Sequence, residues 1–270
     1  MKRVIAVFIL PMLILSLAGL DSCKGRKKEL KQVEMNQIQN MDSTIEKNVY
    51  PLPTSAEVIR MLSDLEVGFI IGISNPPENS KKYLTSPARA TNVGVYGADL
   101  SYATLYNIQQ KVIDYLNVIQ SLAVELNMSR IYDQTLYDTI KANVDKRDKL
   151  VEILKNAFNN TYSFLSDNDQ QPLALLVVGG AWVEGMYLTT HVSEAAYQIA
   201  GIAKVLLEQK DNFNLFLEIT KPYMNDPSVK EFVDRLDPIK KVYEGLSTSL
   251  TNQNIIDITK AIEGIRSQII

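Results

Sequence analysis

One stretch of the chain, residues 173–191, restricts the possible folds more than any other feature, because a related stretch occurs earlier in the sequence. Its sequence is LALLVVGGAWVEGMYLTTH, and it holds the only Trp and the only His of the chain. The related stretch, VGVYGADLSYATLY, occupies residues 93–106, and an offset of 83 positions places Gly97 on Gly180. A repeat on this scale is typical of duplicated helical units.

Apolar residues recur at helical spacing through most of the chain, and no segment shows the alternation of a strand. The spacing predicts helices over about residues 54–74, 92–107, 109–126, 132–144, 146–165, 172–190, 193–209, 213–224, 228–246 and 252–267. Pro238 lies inside the ninth of these segments and predicts a kink or a break near Asp237.

The predicted fold is all-α, with about ten antiparallel helices in a single domain over residues 53–270. Two duplicated four-helix units, over about residues 90–166 and 172–247, stack as a short solenoid or a compact bundle, with one helix at each end. The periodicity of a sequence does not contain helix crossing angles, so both arrangements stay open.

Small residues form a stripe along the first helix of the predicted repeat. Gly94, Gly97, Ala98 and Ser101 lie at positions i, i+3, i+4 and i+7. Because glycine inside a helix costs up to about 1 kcal/mol relative to alanine, the stripe needs a compensating role. We predict that a neighbouring helix backbone approaches closely there.

The N-terminus has the pattern of an exported lipoprotein. Two basic residues precede an apolar run that ends in the tetrapeptide LDSC, whose last residue, Cys23, is the only cysteine. We expect residues 1–22 to be a signal peptide, Cys23 to be lipidated, and residues 23–52 to be a flexible tether. The alternatives are an ordinary secretory signal or a short membrane anchor interrupted by Pro11.

The charge of the chain argues against nucleic acid as a partner. The formal net charge is −3, and nucleic-acid binding requires a concentrated basic surface. A small basic cluster follows Cys23, comprising Lys24, Arg26, Lys27 and Lys28. These residues either contact anionic lipid headgroups or belong to a solvated linker.

The segments NVGVYGADLSYATLYN and GGAWVEGMYLTTH resemble those of a group of exported, all-helical lipoproteins of Bacteroidetes. The resemblance covers the chain from Pro51 to its C-terminus and implies lipidation, a helical fold and export, and it supplies no activity. In that phylum an acidic run after the lipidated cysteine accompanies display on the cell surface. The run is basic here, which favours an anchor in the outer membrane that faces the periplasm.

Conventional catalytic motifs are missing from the sequence. His191 and Cys23 are single residues, and GxSxG, HExxH and phosphate-binding glycine loops do not occur. Zinc sites need several His or Cys ligands, and nucleophilic triads need a histidine base. We therefore expect no catalytic residues, no metal and no cofactor, and we predict that the protein is not an enzyme.

A candidate ligand site lies on the two related helices, where carboxylates occur on apolar faces. Buried carboxylates are costly unless they are paired, and they can mark functional sites. The predicted cleft lies between the two helices and combines both carboxylates with aromatic residues: Asp99, Tyr102, Tyr106, Glu184, Tyr187 and His191. The alternative is that each carboxylate makes a structural hydrogen bond and only fixes packing.

Two functions follow from this pattern. The first is a non-enzymatic scaffold that binds a protein or peptide partner at the membrane, and the second is a small-ligand binder or weak hydrolase in the cleft. Trp182 is either a core residue or an interface contact. Arg89 and Asn92 either orient an anion at the start of the first repeat helix or serve as ordinary cap and surface residues.

Overall fold

The computed structural model describes residues 69–192, 200–247 and 249–270, with side chains at 192 and 200–202 excepted. All regular structure within these ranges is helical, which confirms the all-α prediction. Several predicted features lie outside the described ranges. They are the signal peptide, the lipidation site Cys23, the tether, and residues 54–68 of the helix predicted over residues 54–74.

Nine α-helices and two 3₁₀ helices follow one another in these ranges. The α-helices are α1 Ser86–Leu105, α2 Gln109–Glu125, α3 Gln134–Lys141, α4 Arg147–Asp167, α5 Gln171–Val192, α6 Ala200–Thr220, α7 Pro227–Arg235, α8 Asp237–Glu244 and α9 Asn252–Arg266. The 3₁₀ helices are Pro77–Lys82 and Lys221–Tyr223.

Helix α1 begins about one and a half turns earlier than predicted. Thr85 is its N-cap, and the Thr85 side chain accepts a hydrogen bond from the Ala88 backbone N–H. Pro87 fits the first turn, where its missing N–H has no intrahelical partner to lose. Thr91, which directly precedes the predicted start at residue 92, lies inside the helix instead, and its hydroxyl donates to the Pro87 carbonyl.

The helices of the second half also depart from the prediction. A single helix, α6, replaces the two predicted over residues 193–209 and 213–224, because no glycine or proline interrupts its apolar face around Phe213. The predicted break near Asp237 is confirmed. Helix α7 ends at Arg235, and α8 begins at Asp237 with Pro238 in its first turn.

Helices α1 and α5 make the most extensive helix–helix contact among the described elements. A Cβ on Gly94 would lie 2.0 Å from the Val177 carbonyl oxygen, and a Cβ on Gly180 would lie 2.0 Å from the Thr91 carbonyl oxygen. The predicted close backbone approach is therefore confirmed at Gly94. At Gly97 it is wrong, because a Cβ there would meet no atom within 4 Å.

The two central helices run in the same direction. Thr91 near the start of α1 packs on Gly180 in the middle of α5, and further along Tyr102 of α1 shares an apolar cluster with Leu188 of α5. Helices α5 and α9 run in opposite directions, because Glu263 bonds His191 while Arg266, one turn later in α9, bonds Glu184, an earlier residue of α5. The predicted antiparallel arrangement of about ten helices is not confirmed.

Contacts between residues distant in sequence make this unit a bundle. The Asn92 side-chain amide donates to the Ile269 carbonyl, 177 residues further on. Arg266 donates to the Ile73 carbonyl, 193 residues earlier. In a solenoid each repeat contacts only its neighbours, so these bonds distinguish the bundle from the solenoid alternative.

The predicted duplication into four-helix units is not confirmed. The offset of 83 residues places the start of α1 near that of α5, but it places the start of α3, Gln134, on position 217 inside α6. The fourth helix of the first half has 21 residues and that of the second half has 8. The register of the two halves therefore diverges after their first helices.

Helix α5 is the most apolar helix described. Its residues Gln171–His191 are long and apolar enough to cross a membrane, but 89% of the most apolar window is buried inside the fold. Trp182 belongs to this buried surface, with its indole N–H 3.2 Å from Gln209 Oε1 and its ring against Phe213. Of the two interpretations of Trp182, the core residue is confirmed.

Candidate functional site

The two predicted carboxylates meet in the interior of the bundle. Asp99 lies near the middle of α1 and Glu184 near the middle of α5, and both side chains are completely buried. The parallel direction of the helices and the close contact at Gly94 place these positions opposite each other. The two carboxyl groups interact electrostatically, and the charge of Glu184 raises the pKa of Asp99.

Arg266, the last residue of α9, pairs with Glu184. Its Nε lies 2.6 Å from Glu184 Oε2 and its Nη2 lies 2.8 Å from Glu184 Oε1, a bidentate contact. The Nη2 group also donates to the Ile73 carbonyl at 3.3 Å. This planar, two-bond geometry is the strongest that a carboxylate and a guanidinium form. One ion pair thus joins α5, α9 and the segment before α1.

Asp99 has fewer partners than Glu184. Its Oδ2 accepts the Asn75 backbone N–H at 3.1 Å, whereas no donor in the described residues reaches Oδ1. Burial raises the pKa of Asp99 well above its usual range, the negative charge of Glu184 raises it further, and the Arg266 guanidinium acts in the opposite direction. A protonated Asp99 is the state that these surroundings favour.

Tyr102 and Tyr106 lie next to the carboxylates, in an apolar cluster. Phe69 stacks on Tyr102 with ring centroids 5.1 Å apart, and Tyr106 packs edge-on against both rings. The Tyr102 hydroxyl accepts the Ile70 backbone N–H at 3.0 Å. The Tyr106 hydroxyl is buried without a hydrogen-bond partner in the described structure, and burial raises the pKa of Tyr106 to about 12.

Tyr187 and His191 connect the ion pair to the surface. The Arg266 guanidinium lies 3.9 Å from the centre of the Tyr187 ring, and the His191 ring also packs on Tyr187, with its centroid 3.9 Å from that of the tyrosine. His191 Nε2 lies 2.9 Å from Glu263 Oε1, and His191 Nδ1 lies 2.8 Å from the Tyr187 carbonyl oxygen. His191 is thus a hydrogen-bonded histidine near a helix end.

The structure therefore brings the six predicted residues into one neighbourhood, but the neighbourhood is packed rather than open. Asp99 and Glu184 line none of four well-formed cavities between the described elements. One of these cavities is lined mainly by apolar residues, has a volume of about 30 Å³ and includes Gly97 in its wall. A space of this size holds about one or two water molecules.

Sequence reasoning missed Arg266, the cation of the cluster. Its signal was present, since Arg266 follows Ile262 by four positions and therefore lies on the isoleucine face of α9. A cation on an apolar helix face needs a buried anion, which would have identified Glu184 as its partner. Asn75 was also missed, because a backbone N–H donor leaves no trace in the residue type.

Arg89 and Asn92 do not form an anion site at the start of α1, because both lie inside the helix. Arg89 donates to the Tyr83 carbonyl and pairs with Glu125 at 3.3 Å. Asn92 is fully buried and bonds the Ile269 carbonyl. Within the ranges that the structure describes, no three His, Cys, Asp or Glu side chains come together as a metal site.

No family model matches the chain, and neither the curated proteins nor the solved structures contain a match. The function must therefore be argued from the geometry of the fold and from the sequence.

Proposed function

We propose that this chain is an exported lipoprotein whose helical domain binds a protein or peptide partner and does not catalyse a reaction. The signal peptide, residues 1–22, directs export, and lipidated Cys23 anchors the protein in the outer membrane, facing the periplasm. The basic residues after Cys23 and the likeness to helical lipoproteins of Bacteroidetes support this location.

The observation that carries the binding proposal is the enclosure of the cluster of Asp99, Glu184 and Arg266. Both carboxylates are fully buried, and Arg266 bonds both oxygens of Glu184. A substrate or small ligand needs a concave site with accessible polar groups. The enclosure therefore favours a surface-acting scaffold over the alternative, a small-ligand binder or weak hydrolase in the carboxylate and tyrosine cleft.

A groove on the surface of the bundle provides a place for a partner. It lies between residues 69–78 and helix α2, and its volume is about 440 Å³. Phe69, Pro77 and Val118 contribute apolar surface, and Lys111 and Asp114 contribute charges of both signs. An extended peptide segment of a partner protein fits this lining, with apolar side chains in the groove and main-chain groups at the charged residues.

Ile71 extends the apolar surface of the groove into solvent. It lies between Phe69 and Gly72, which both line the groove, and 89% of its surface is exposed. Large exposed apolar side chains next to a groove are typical of interaction sites. We propose Ile71 as the contact residue at the edge of the peptide site.

We also propose that α1 and α5 descend from one duplicated helix. This proposal restricts the predicted duplication to the first helix of each four-helix unit. The offset of 83 residues places Gly97 of α1 on Gly180 of α5, and each helix carries one buried carboxylate. The antiparallel stacking of two complete four-helix units is not required for this relation.

Anchoring is tested by comparing the full chain with the Cys23→Ser variant in a bacterial host. We expect the wild type to partition into detergent and to gain the mass of attached acyl chains, and the variant to do neither. External protease should leave the wild type intact until the outer membrane is opened. Acyl-free wild-type protein, or cleavage in intact cells, would contradict the anchor or its orientation respectively.

Partner binding is tested with a photo-crosslinking amino acid at position 71 of the full chain in cells. The matched control is position 84, because Leu84 is also an exposed apolar residue, at 74%, but does not line the groove. We expect one discrete adduct from position 71 that is absent from position 84 and that Lys111→Glu weakens. Equal labelling from both positions would contradict a site at the groove.

A further inference from the structure

A short segment, residues 70–75, connects the N-terminal part of the chain to the helices, and three of its backbone groups bond side chains in or beside the buried cluster. We call it the strap. The Ile70 N–H donates to the Tyr102 hydroxyl at 3.0 Å, the Ile73 carbonyl accepts from Arg266 at 3.3 Å, and the Asn75 N–H donates to Asp99 at 3.1 Å. Two of these three bonds use Asp99 or Arg266 directly.

The cluster contains two carboxyl groups but only one guanidinium. Arg266 directs both of its short hydrogen bonds to Glu184 and none to Asp99. The side chain of Asp99 is completely buried, and its Oδ1 meets no donor among the described residues. An ionised carboxylate without water or a cation is strongly disfavoured in a protein interior. An oxygen that carries a proton needs no donor, and it can donate to Glu184 instead.

We propose that Asp99 is a neutral carboxylic acid in the folded protein at neutral pH, that it donates its proton to Glu184, and that loss of this proton releases the strap. The proton passes from the Asp99 carboxyl group to solvent hydroxide, which becomes water, and no other covalent bond changes. Two carboxylates then share one guanidinium in the interior, and opening of the strap lets water reach Asp99.

The titratable groups around Asp99 support its assignment as a neutral carboxylic acid. Burial and the charge of Glu184 raise the pKa of Asp99, whereas the Arg266 guanidinium and the backbone hydrogen bond from Asn75 lower it. The other titratable groups that interact with Asp99 are tyrosines, and burial raises their pKa values so that they stay neutral: Tyr96, Tyr102, Tyr115 and Tyr187.

The strap has an exposed half and a buried half. Ile71 is 89% exposed, and the adjacent Gly72 has a positive φ of 85°, a conformation that glycine adopts without strain. Ile73 and Asn75 are buried, and the Asn75 side chain also bonds Tyr83 and Asn79. Segments with few buried contacts open at the lowest free energy, so opening starts at residues 70–72.

The direction of the pH effect follows from linkage. Because the pKa of Asp99 is higher in the folded state than in the unfolded chain, the stabilisation is complete at low pH and is lost as the pH rises through the folded pKa. A single released proton changes the opening equilibrium by roughly tenfold per pH unit above that pKa.

The first test is infrared spectroscopy of the full-length wild type and of Asp99→Asn at neutral pH. We expect the wild type to show the carbonyl stretch of a protonated carboxylic acid, shifted in D₂O, and the variant to lack it. The side-chain amide introduced by this substitution can still donate to Glu184 and accept from Asn75, so the fold has no reason to change. A wild-type spectrum without this band at neutral pH would overturn the proposal.

The second test is hydrogen exchange of the Asn75 amide as a function of pH, corrected for the intrinsic exchange rate. In the wild type we expect its protection to fall by up to about tenfold per pH unit above the folded pKa, and in Asp99→Asn to stay flat. The Lys230 amide, which donates to the Asp226 carbonyl in α7, is the internal reference. Parallel pH profiles of Asn75 in both proteins would overturn the proposal.

The two tests stay decisive if Asp99→Asn fails to fold. The wild-type infrared band as a function of pH then reports the protonation of a buried carboxyl group by itself. The wild-type Asn75 profile, compared with that of Lys230, reports strap release. Loss of the band without any fall in Asn75 protection would contradict the coupling between the proton and the strap.

Discussion

Arg266 satisfies only one of the two carboxylates that face each other in the interior, and this asymmetry gives each residue of the cluster a different energetic role. Glu184 depends on Arg266 for its charge balance, since it accepts both short guanidinium bonds. Asp99 depends on a backbone N–H and on its own proton. Substitution of Arg266 and substitution of Asp99 therefore test different interactions, although both residues belong to the same cluster.

We predict that Arg266→Met strongly destabilises the fold. The variant leaves Glu184 buried without its cation, and breaking a buried ion pair from one side costs about 3–5 kcal/mol. The measurement is the free energy of unfolding from urea denaturation, followed by circular dichroism.

The matched control for this prediction is Arg235→Met, which makes the same substitution at a surface pair. Arg235 pairs with Glu231 on the exposed side of α7, where the Glu231 side chain is 67% exposed. Such pairs are worth about 0–1 kcal/mol. Equal losses in the two variants would show that Arg266 acts through the packing of its aliphatic part and not through Glu184.

The sequence allowed half of this cluster to be predicted. A carboxylate inside an apolar helix face is visible in the sequence, so Asp99 and Glu184 were predicted to meet. The pairing of Glu184 with a cation was not predictable, because its partner Arg266 lies 82 residues away in the sequence. Tyr187 was expected at the wall of a cleft, and it packs on the guanidinium instead.

At the scale of helices, the contact between α1 and α5 decides which positions tolerate a side chain. Gly94 meets the backbone of α5 at Val177, whereas a Cβ added to Gly97, one turn later, would have no neighbouring atom within 4 Å and would border the small apolar cavity. The two glycines are three residues apart in the same helix. They therefore separate the packing effect of a methyl group from its effect on helix propensity.

We predict opposite effects of alanine at these two positions. Gly94→Ala places a methyl group against backbone that cannot move without separating the helices, and overpacking of this kind costs about 1–3 kcal/mol or more. Gly97→Ala removes the flexibility of glycine in a helix and should gain about 0.5–1 kcal/mol. Thermal and urea unfolding of both variants measure the two changes.

A loss of stability in Gly97→Ala equal to that in Gly94→Ala would contradict the packing of α1 on α5. The contrast also shows what a sequence pattern can predict. The small-residue stripe correctly indicated a close contact, but spacing alone did not separate Gly94, which makes it, from Gly97, which borders a cavity. The start of α1 was mispredicted for a similar reason, since Thr85 and Thr91 are both acceptable caps in isolation.

At the scale of the whole helical unit, the parallel direction of α1 and α5 requires the intervening chain to return to the same end of the bundle. Helices α2, α3 and α4 provide this return. The C-terminal residues then close the structure on α1 through the bond between Asn92 and Ile269. None of these relations could be predicted from periodicity, which encodes the buried face of a helix but not its direction or its partner.

This closure predicts that unfolding is a single cooperative event. Removal of residues 268–270 deletes the acceptor of the buried Asn92 amide and the buried side chain of Ile269, with an expected loss of about 2–4 kcal/mol. Trp182 fluorescence reports the central helix α5, and far-ultraviolet circular dichroism reports all helices. Because the C-terminus contacts α1 directly, the two transitions should shift together to lower urea concentration.

Deletion of Ile270 alone is the matched control, because it retains the Ile269 carbonyl that accepts from Asn92, and it should cost less than half as much. A solenoid would respond differently, since its terminal repeats unfold without the distant ones. Loss of helical signal before the change in Trp182 fluorescence would therefore contradict the bundle. If the two ends of the unit stabilise each other, the fluorescence and circular dichroism transitions should coincide in the wild type and in both truncated chains.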